Sequence, residues 1–326
     1  MLRPLYVTDA SVSRLVRPFE AIRLARTAYI RLARHQALSP ERLVFHIPDE
    51  STFFIMPAHV LGEKTVSIKI ARLNPRNPSR NLPSVMASLY MYDSDTGREI
   101  ARLEAEELTA IRTAASSAVA TDLLAPSNCE TLGIIGAGRQ ARAHIPALTH
   151  VRKFSRILVH SRNREHRQKF ANEIHKKHGI SAEAVDSPDE VASSSQVLVL
   201  ATNSPTPLFN GRRVRSGTHV NAIGSALPST REVDTMLVAR SFLIVDSIPQ
   251  ALSTYGDIMI PIRQKKITKT DLNQLGDLLT RPIPLPRKGM VSLFKSGGLA
   301  ALDAVFAAHI VSRLTTKTGQ RKTKSL

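Results

Sequence analysis

Cysteine is nearly absent: Cys129 is the only one in 326 residues. One thiol cannot build a disulfide framework or a structural zinc cluster, and it fits a reducing compartment. No apolar run approaches the roughly 20 residues that span a bilayer. Met1-Leu2-Arg3-Pro4 leads into polar sequence without the apolar core of a secretory signal. A cytoplasmic protein with no membrane partner is the expectation. Tryptophan is missing and aromatics make up 5%, yet apolar residues at 42% and charged residues at 22% describe an ordinary globular chain. Repeats at solenoid periods and long low-complexity runs are also lacking. His46, His144 and His150 have no ligand spacing, so no metal site is expected.

Acid is scarce as well. Against 45 basic residues stand 27 acidic ones, a formal charge of +18. Such an excess points to an anionic partner: nucleic acid, an anionic membrane, or a phosphorylated or carboxylated small molecule. No helix-turn-helix, zinc or RNP signature is present, so nucleic acid drops out.

The order of patterns indicates two domains. Ser11 or Ser13 could cap a helix running past Pro18, with Phe19, Ile22, Leu24, Ala28 and Leu32 at helical spacing. Short strand patterns follow at Leu43–Ile47, Phe53–Met56, Thr65–Ala71, Val85–Tyr92 and Ile100–Leu103, with a turn at Asp93–Gly97. From Glu106 on, helices and apolar strands alternate, as in a parallel sheet covered on both faces. A last helix is read over Ser296–Leu314, and Thr315–Leu326 as a frayed basic end. The fold class is α/β: a Rossmann-type parallel-sheet domain over 117–298, and a sheet-rich α+β domain over 1–116 with 299–326.

Gly136-Ala137-Gly138-Arg139-Gln140-Ala141 follows the strand Thr131–Ile135 and opens a helix. This is G-x-G-x-x-A in its dinucleotide context: a tight turn, a backbone that lets a pyrophosphate approach, and a small residue for helix–strand packing. An acidic residue ending the next strand would bind the ribose of NAD. Here that strand ends in His160-Ser161-Arg162-Asn163, with Arg167 nearby. Ser161, Arg162, Asn163 and Arg167 therefore suit a 2′-phosphate, and NADP(H) is favoured, with NAD(H) as the alternative. Thr202 and Asn203 lie just past the strand Gln196–Leu200, where Rossmann strands meet the cofactor. In the first domain Lys69 is flanked by apolar neighbours, Arg112 is set among small residues, and Arg42 precedes a strand.

Met56-Pro57-Ala58, Lys69, Asn81-Leu82-Pro83-Ser84-Val85-Met86, Leu108-Thr109-Ala110-Ile111-Arg112-Thr113-Ala114-Ala115 and the glycine turn together resemble the ornithine cyclodeaminase/mu-crystallin family. Asn221–Ser225, Val245-Asp246-Ser247, Gly256-Asp257 and Phe294-Lys295-Ser296 continue the likeness in order. The resemblance implies a substrate-binding, dimerising domain and a nicotinamide-binding domain, hence a homodimer. It implies that Arg42, Lys69 and Arg112 hold a substrate carboxylate beside the nicotinamide, with Lys69 and Arg112 catalytic. Phe54, Met56 and Ser84 would line the substrate; Thr113, Gly224, Ser225, Lys295 and Ser296 would lie at the cofactor. Two carboxylates that true cyclodeaminases carry are replaced by Phe54 and Ala226, neither of which can accept a proton. The resemblance therefore implies an NAD(P)H-dependent reductase or dehydrogenase of a small α-imino (ketimine) or α-keto acid. Ornithine cyclodeaminase and a non-enzymatic mu-crystallin-like ligand-binding protein are the alternatives.

Overall fold

The computed structural model describes residues 3–48 and 51–323; Lys324 of the basic end lies outside them. The chain divides into two compact units, Met1–Arg112 with Leu299–Leu326, and Thr113–Gly298.

The first unit begins with β1 (Leu5–Val7), α1 (Asp9–Leu15) and α2 (Pro18–Ala33). The single helix read across Pro18 is two helices. Proline lacks the N–H an interior position needs but suits the first turn, and Pro18 stands there in α2. Thr8, not Ser11 or Ser13, caps α1 by accepting from the Ser11 N–H. Then come β2 (Ala37–Leu38), β3 (Leu43–Ile47), β4 (Ser51–Val60), β5 (Thr65–Leu73), β6 (Val85–Asp93) and β7 (Glu99–Glu104). Their sheet order is β1-β7-β6-β5-β4-β2, with β3 also on β4. All pairs are antiparallel except β1 with β7. In β4 and β5 alternate residues are buried, the period of two that a half-covered sheet requires.

α3 (Glu106–Leu124) carries the chain across the unit boundary, and α11 (Ala300–Thr323) belongs to the first unit. The structure extends α11 beyond Leu314, through residues read as a frayed end, and starts it at Ala300 instead of Ser296. It packs on α2, β4 and β5, burying Leu302, Phe306, Ala307 and Ile310 completely.

The second unit runs β8 (Thr131–Ile135), α4 (Arg139–Val151), β9 (Arg156–His160), α5 (Arg164–His178), β10 (Ser181–Ala184), α6 (Pro188–Ser194), β11 (Val197–Leu200), β12 (His219–Ala222), α7 (Thr235–Ala239), β13 (Ser241–Val245), α8 (Ile248–Thr254), α9 (Gly256–Arg263), β14 (Leu272–Gln274), α10 (Leu275–Thr280) and β15 (Val291–Lys295). The strands form a parallel sheet in the order β10-β9-β8-β11-β12-β15-β13-β14. The order reverses between β8 and β11, and that switch point is where such sheets open a crevice at the carboxyl ends of their strands. The α/β class read from the sequence, a parallel sheet plus a mainly antiparallel one, is the class the chain adopts.

Candidate active site

Each unit carries one half of the predicted chemistry. In the first, Lys69 points to the buried face of β5, with Met56 and Leu89 as its cross-strand neighbours. Its side chain is 1% exposed and its ammonium lies 2.8 Å from Asp303 of α11. The other oxygen of Asp303 accepts from Arg112 of α3 at 3.0 Å. The Thr109 hydroxyl is 3.4 Å from the Lys69 ammonium. Arg42 stacks its guanidinium 5.0 Å above the Phe54 ring, a cation–π contact with an electron-rich face. Burial, with the charges of Arg112 and then Arg42, draws Lys69 down to about 8, while Asp303 resists. An incoming carboxylate would relieve that crowding of positive charge. A group titrating near neutral pH is also suited to proton transfer.

The structure thus gathers Arg42 from the loop before β3, Phe54 and Met56 from β4, Lys69 from β5 and Arg112 from α3. Ser84 precedes β6, five positions before Leu89, and its carbonyl accepts from the Asn74 N–H. His59 lies on the opposite face of β4 from Met56, with its imidazole at the Thr65 carbonyl. Asp303 was missed in the sequence, although a carboxylate interrupting the apolar stripe Leu299, Phe306, Ile310 is a detectable signal.

In the second unit the glycine turn has the required geometry. Gly136 has φ +120°, and a Cβ there would collide with the Ala201 carbonyl, so only glycine fits. Its N–H donates to the His160 carbonyl. Gly138 caps α4, and the space its Cβ would occupy has no atom within 4 Å, leaving room for a pyrophosphate. Arg139 and Gln140 open α4, and the buried Gln140 Oε1 has no partner among the described residues. Arg142 braces the turn by donating to the Ala137 carbonyl while it pairs with Glu173 at 2.8 Å. These residues fit a dinucleotide.

At the tip of β9 the side chains divide. Ser161 donates to the Asn163 carbonyl, and the Asn163 carboxamide caps α5. Arg167 is buried, holding the Ser161 carbonyl and the Asp186 carboxylate. Arg162 is exposed.

The remaining predicted residues form a tightly bonded group. The Thr202 N–H and hydroxyl donate to one oxygen of Glu232, each at 2.8 Å. The N–H groups of Gly224 and Ser225 donate to the other, at 2.7 and 3.3 Å. Asp257 accepts from the N–H groups of Glu232 and Val233 and pairs with Lys295 at 2.9 Å. Glu232, Asp257 and Lys295 are all 0% exposed. Burial pushes the Glu232 carboxyl up, and Lys295 pulls against it. Ser296 donates to Asp246, which also accepts from the N–H groups of Gly297 and Gly298. Lys295 and Ser296 therefore have their polar atoms engaged within the unit, whereas Asn203 is exposed and Thr113 is buried. The sequence does not single out Glu232, and it shows Asp257 only within the Gly256-Asp257 string of the family likeness. A lysine inside the apolar run of β15 was the available signal, because a buried ammonium requires a carboxylate.

Over residues 5–318 the chain matches the family model described as ornithine cyclodeaminase/mu-crystallin family. It is 30% identical over 313 residues to a Delta(1)-pyrroline-2-carboxylate reductase of Bacillus cereus, covering 94% of this chain and 96% of that one. It is 30% identical over 299 residues to ketimine reductase mu-crystallin of Mus musculus, covering 91% of each. The solved structure of Thermococcus litoralis Delta(1)-pyrroline-2-carboxylate reductase in complex with NADH and L-proline superposes with a TM-score of 0.94 at 32% identity, covering 96% of this chain and 98% of that one. The glycine turn, the buried lysine and arginine, and a match along nearly the whole chain place it in the ornithine cyclodeaminase/mu-crystallin family.

Proposed function

We infer that this chain is an NAD(P)H-dependent reductase of a small α-imino acid, working at the α-carbon of what becomes an amino acid. The observation that carries this is the buried group of Lys69, Arg112 and Asp303, in which Lys69 is drawn down to about 8. Arg112 and Lys69 take the substrate carboxylate, with Arg42 beside them; guanidinium recognises a carboxylate through two parallel donors. Lys69, or a water it orders, delivers the proton to the imine nitrogen. The bound dinucleotide supplies the hydride. Phe54 offers the substrate an apolar wall, and with Ala226 it leaves no carboxylate where a side-chain ammonium would need one. An imino acid with an uncharged side chain, such as a cyclic ketimine carboxylate, follows.

The first unit holds the substrate and the second the dinucleotide. NADP(H) is the preferred cofactor: the tip of β9 offers exposed Arg162 and no carboxylate in Ser161–Asn163. We also propose a homodimer. One face of the first unit's sheet carries partly exposed Phe53, Ile55, Ile68 and Ile70, and neighbouring β3 exposes Leu43 and Phe45. The cytoplasm is the proposed location, in keeping with the free thiol of Cys129.

A substrate panel followed by NADPH absorbance tests the reading. Pyrroline-2-carboxylate should be reduced to proline, and pyruvate with ammonia more slowly. Proline and ammonia from ornithine with NAD would establish a cyclodeaminase instead. Binding without turnover across the panel would favour a ligand carrier.

A further inference from the structure

The glycine turn after β8 takes the pyrophosphate, and the β9 tip marks the adenosine side of the switch point. The strand ends on the other side, β11 and then β12, therefore face the nicotinamide half. Past the β11–β12 ladder, those two ends are bridged by a single side chain. One oxygen of Glu232 accepts from the Thr202 N–H and hydroxyl just past β11; the other accepts from Gly224 and Ser225 just past β12. A Cβ on Gly224 would collide with both the Thr202 carbonyl and the Glu232 carboxylate. The strand ends are thus drawn together as closely as the backbone allows. Asp257 fixes the main chain here by accepting from the Glu232 and Val233 N–H groups, and Lys295 fixes Asp257. The Lys295 ammonium also donates to the Ser225 carbonyl and lies 5.5 Å over the Tyr255 ring.

We propose that Glu232 is the positioning residue for the nicotinamide end of the dinucleotide, bridging the β11 and β12 termini into one rigid ledge. Glu232 touches neither substrate nor cofactor. It acts through Thr202, Gly224 and Ser225, which lie beyond the paired residues Leu200 and Ala222 of the two strands. The adenosine and pyrophosphate contacts lie across the switch point and do not depend on it. The inference rests on the dinucleotide reading above.

Replacement separates the two halves. In Glu232→Gln one acceptor oxygen faces donors on two strands, and the new amide hydrogens confront N–H groups. Glu232→Asp keeps the charge near Lys295 but is one methylene too short to bridge both ends, and it guards against a failure of the first variant to fold. The measurements are Kd for NADPH by titration calorimetry, Kd for ADP or its 2′-phosphorylated form, and kcat for imine reduction. Each variant should bind the adenosine fragment within about twofold of wild type, while NADPH weakens about tenfold and kcat falls. A role confined to general stability would weaken fragment and dinucleotide in parallel, and that result, or unchanged NADPH affinity and kcat, overturns the proposal. If the wild-type protein binds neither NADPH nor NADH, the dinucleotide reading itself fails, and the positioning role with it.

Discussion

Lys69 and Lys295 are both buried lysines facing carboxylates, at 1% and 0% exposure, yet their surroundings differ in kind. Lys69 meets one oxygen of Asp303 while the guanidinium of Arg112 meets the other, and Arg42 adds positive charge close enough to lower Lys69 further. Lys295 meets Asp257 and the Ser225 carbonyl, with Glu232 close by. Burial lowers the Lys69 ammonium to about 8, with Arg112 and Arg42 adding to the fall; burial raises the Glu232 carboxyl, with Lys295 opposing and Asp257 adding to the rise. The first arrangement gains from an added anion. In the second, the carboxylates accept main-chain N–H groups and hold strand ends in place. One is a receptor for charge; the other is a brace.

The contrast breaks most sharply at Lys69. Lys69→Met should lower kcat for imine reduction by about a hundredfold to ten-thousandfold, the range of a general acid. In the wild type, Lys69 carries its proton below about 8. Reduction kcat/KM should therefore hold steady at lower pH and fall as pH rises through that value. Lys69→Arg stays charged throughout, so its residual activity should lack that limb. Arg112→Ala should cost about a hundredfold to a thousandfold in kcat/KM, because it removes a carboxylate contact and strips Asp303 of a partner; NADPH affinity, measured by calorimetry, should stay level. Stability offers an independent check on how Asp303 is delivered. Phe306 is fully buried on α11, and Phe306→Ala should lower unfolding free energy in urea by about 3–5 kcal/mol. The smallest effect is expected at the β9 tip: Arg162→Ala should weaken NADPH about tenfold and leave NADH nearly unchanged. Equal loss for both would remove Arg162 from the 2′-phosphate site.

Much of this was readable from residues alone. The glycine turn declares itself because strand, Gly136-Ala137-Gly138 and helix must adjoin, and the structure gives Gly136 a positive φ that explains the glycine. Lys69 was conspicuous as a charge within a strand. Its counter-charge was not, because Asp303 arrives on α11, more than two hundred residues later, and helical spacing does not say which strand a helix covers. β15 also escaped notice. It is five residues long with polar Ser292 and Lys295, yet all five are buried. Ser292 is satisfied by His219 and Lys295 by Asp257, so its polar letters hide an interior strand. The bridge made by Glu232 depends on two strand ends lying side by side, which only topology reveals.

The central claim is that the Lys69 cluster is built to receive a carboxylate. NMR titration of the Lys69 side chain, in the holoprotein with and without pyrrole-2-carboxylate, a planar carboxylate that cannot be reduced, tests it most directly. The account predicts titration near 8 in the free cluster and a clear upward shift when the ligand binds, as an added negative charge requires. Titration at the ordinary lysine value of 10.5, unmoved by the ligand, would contradict it.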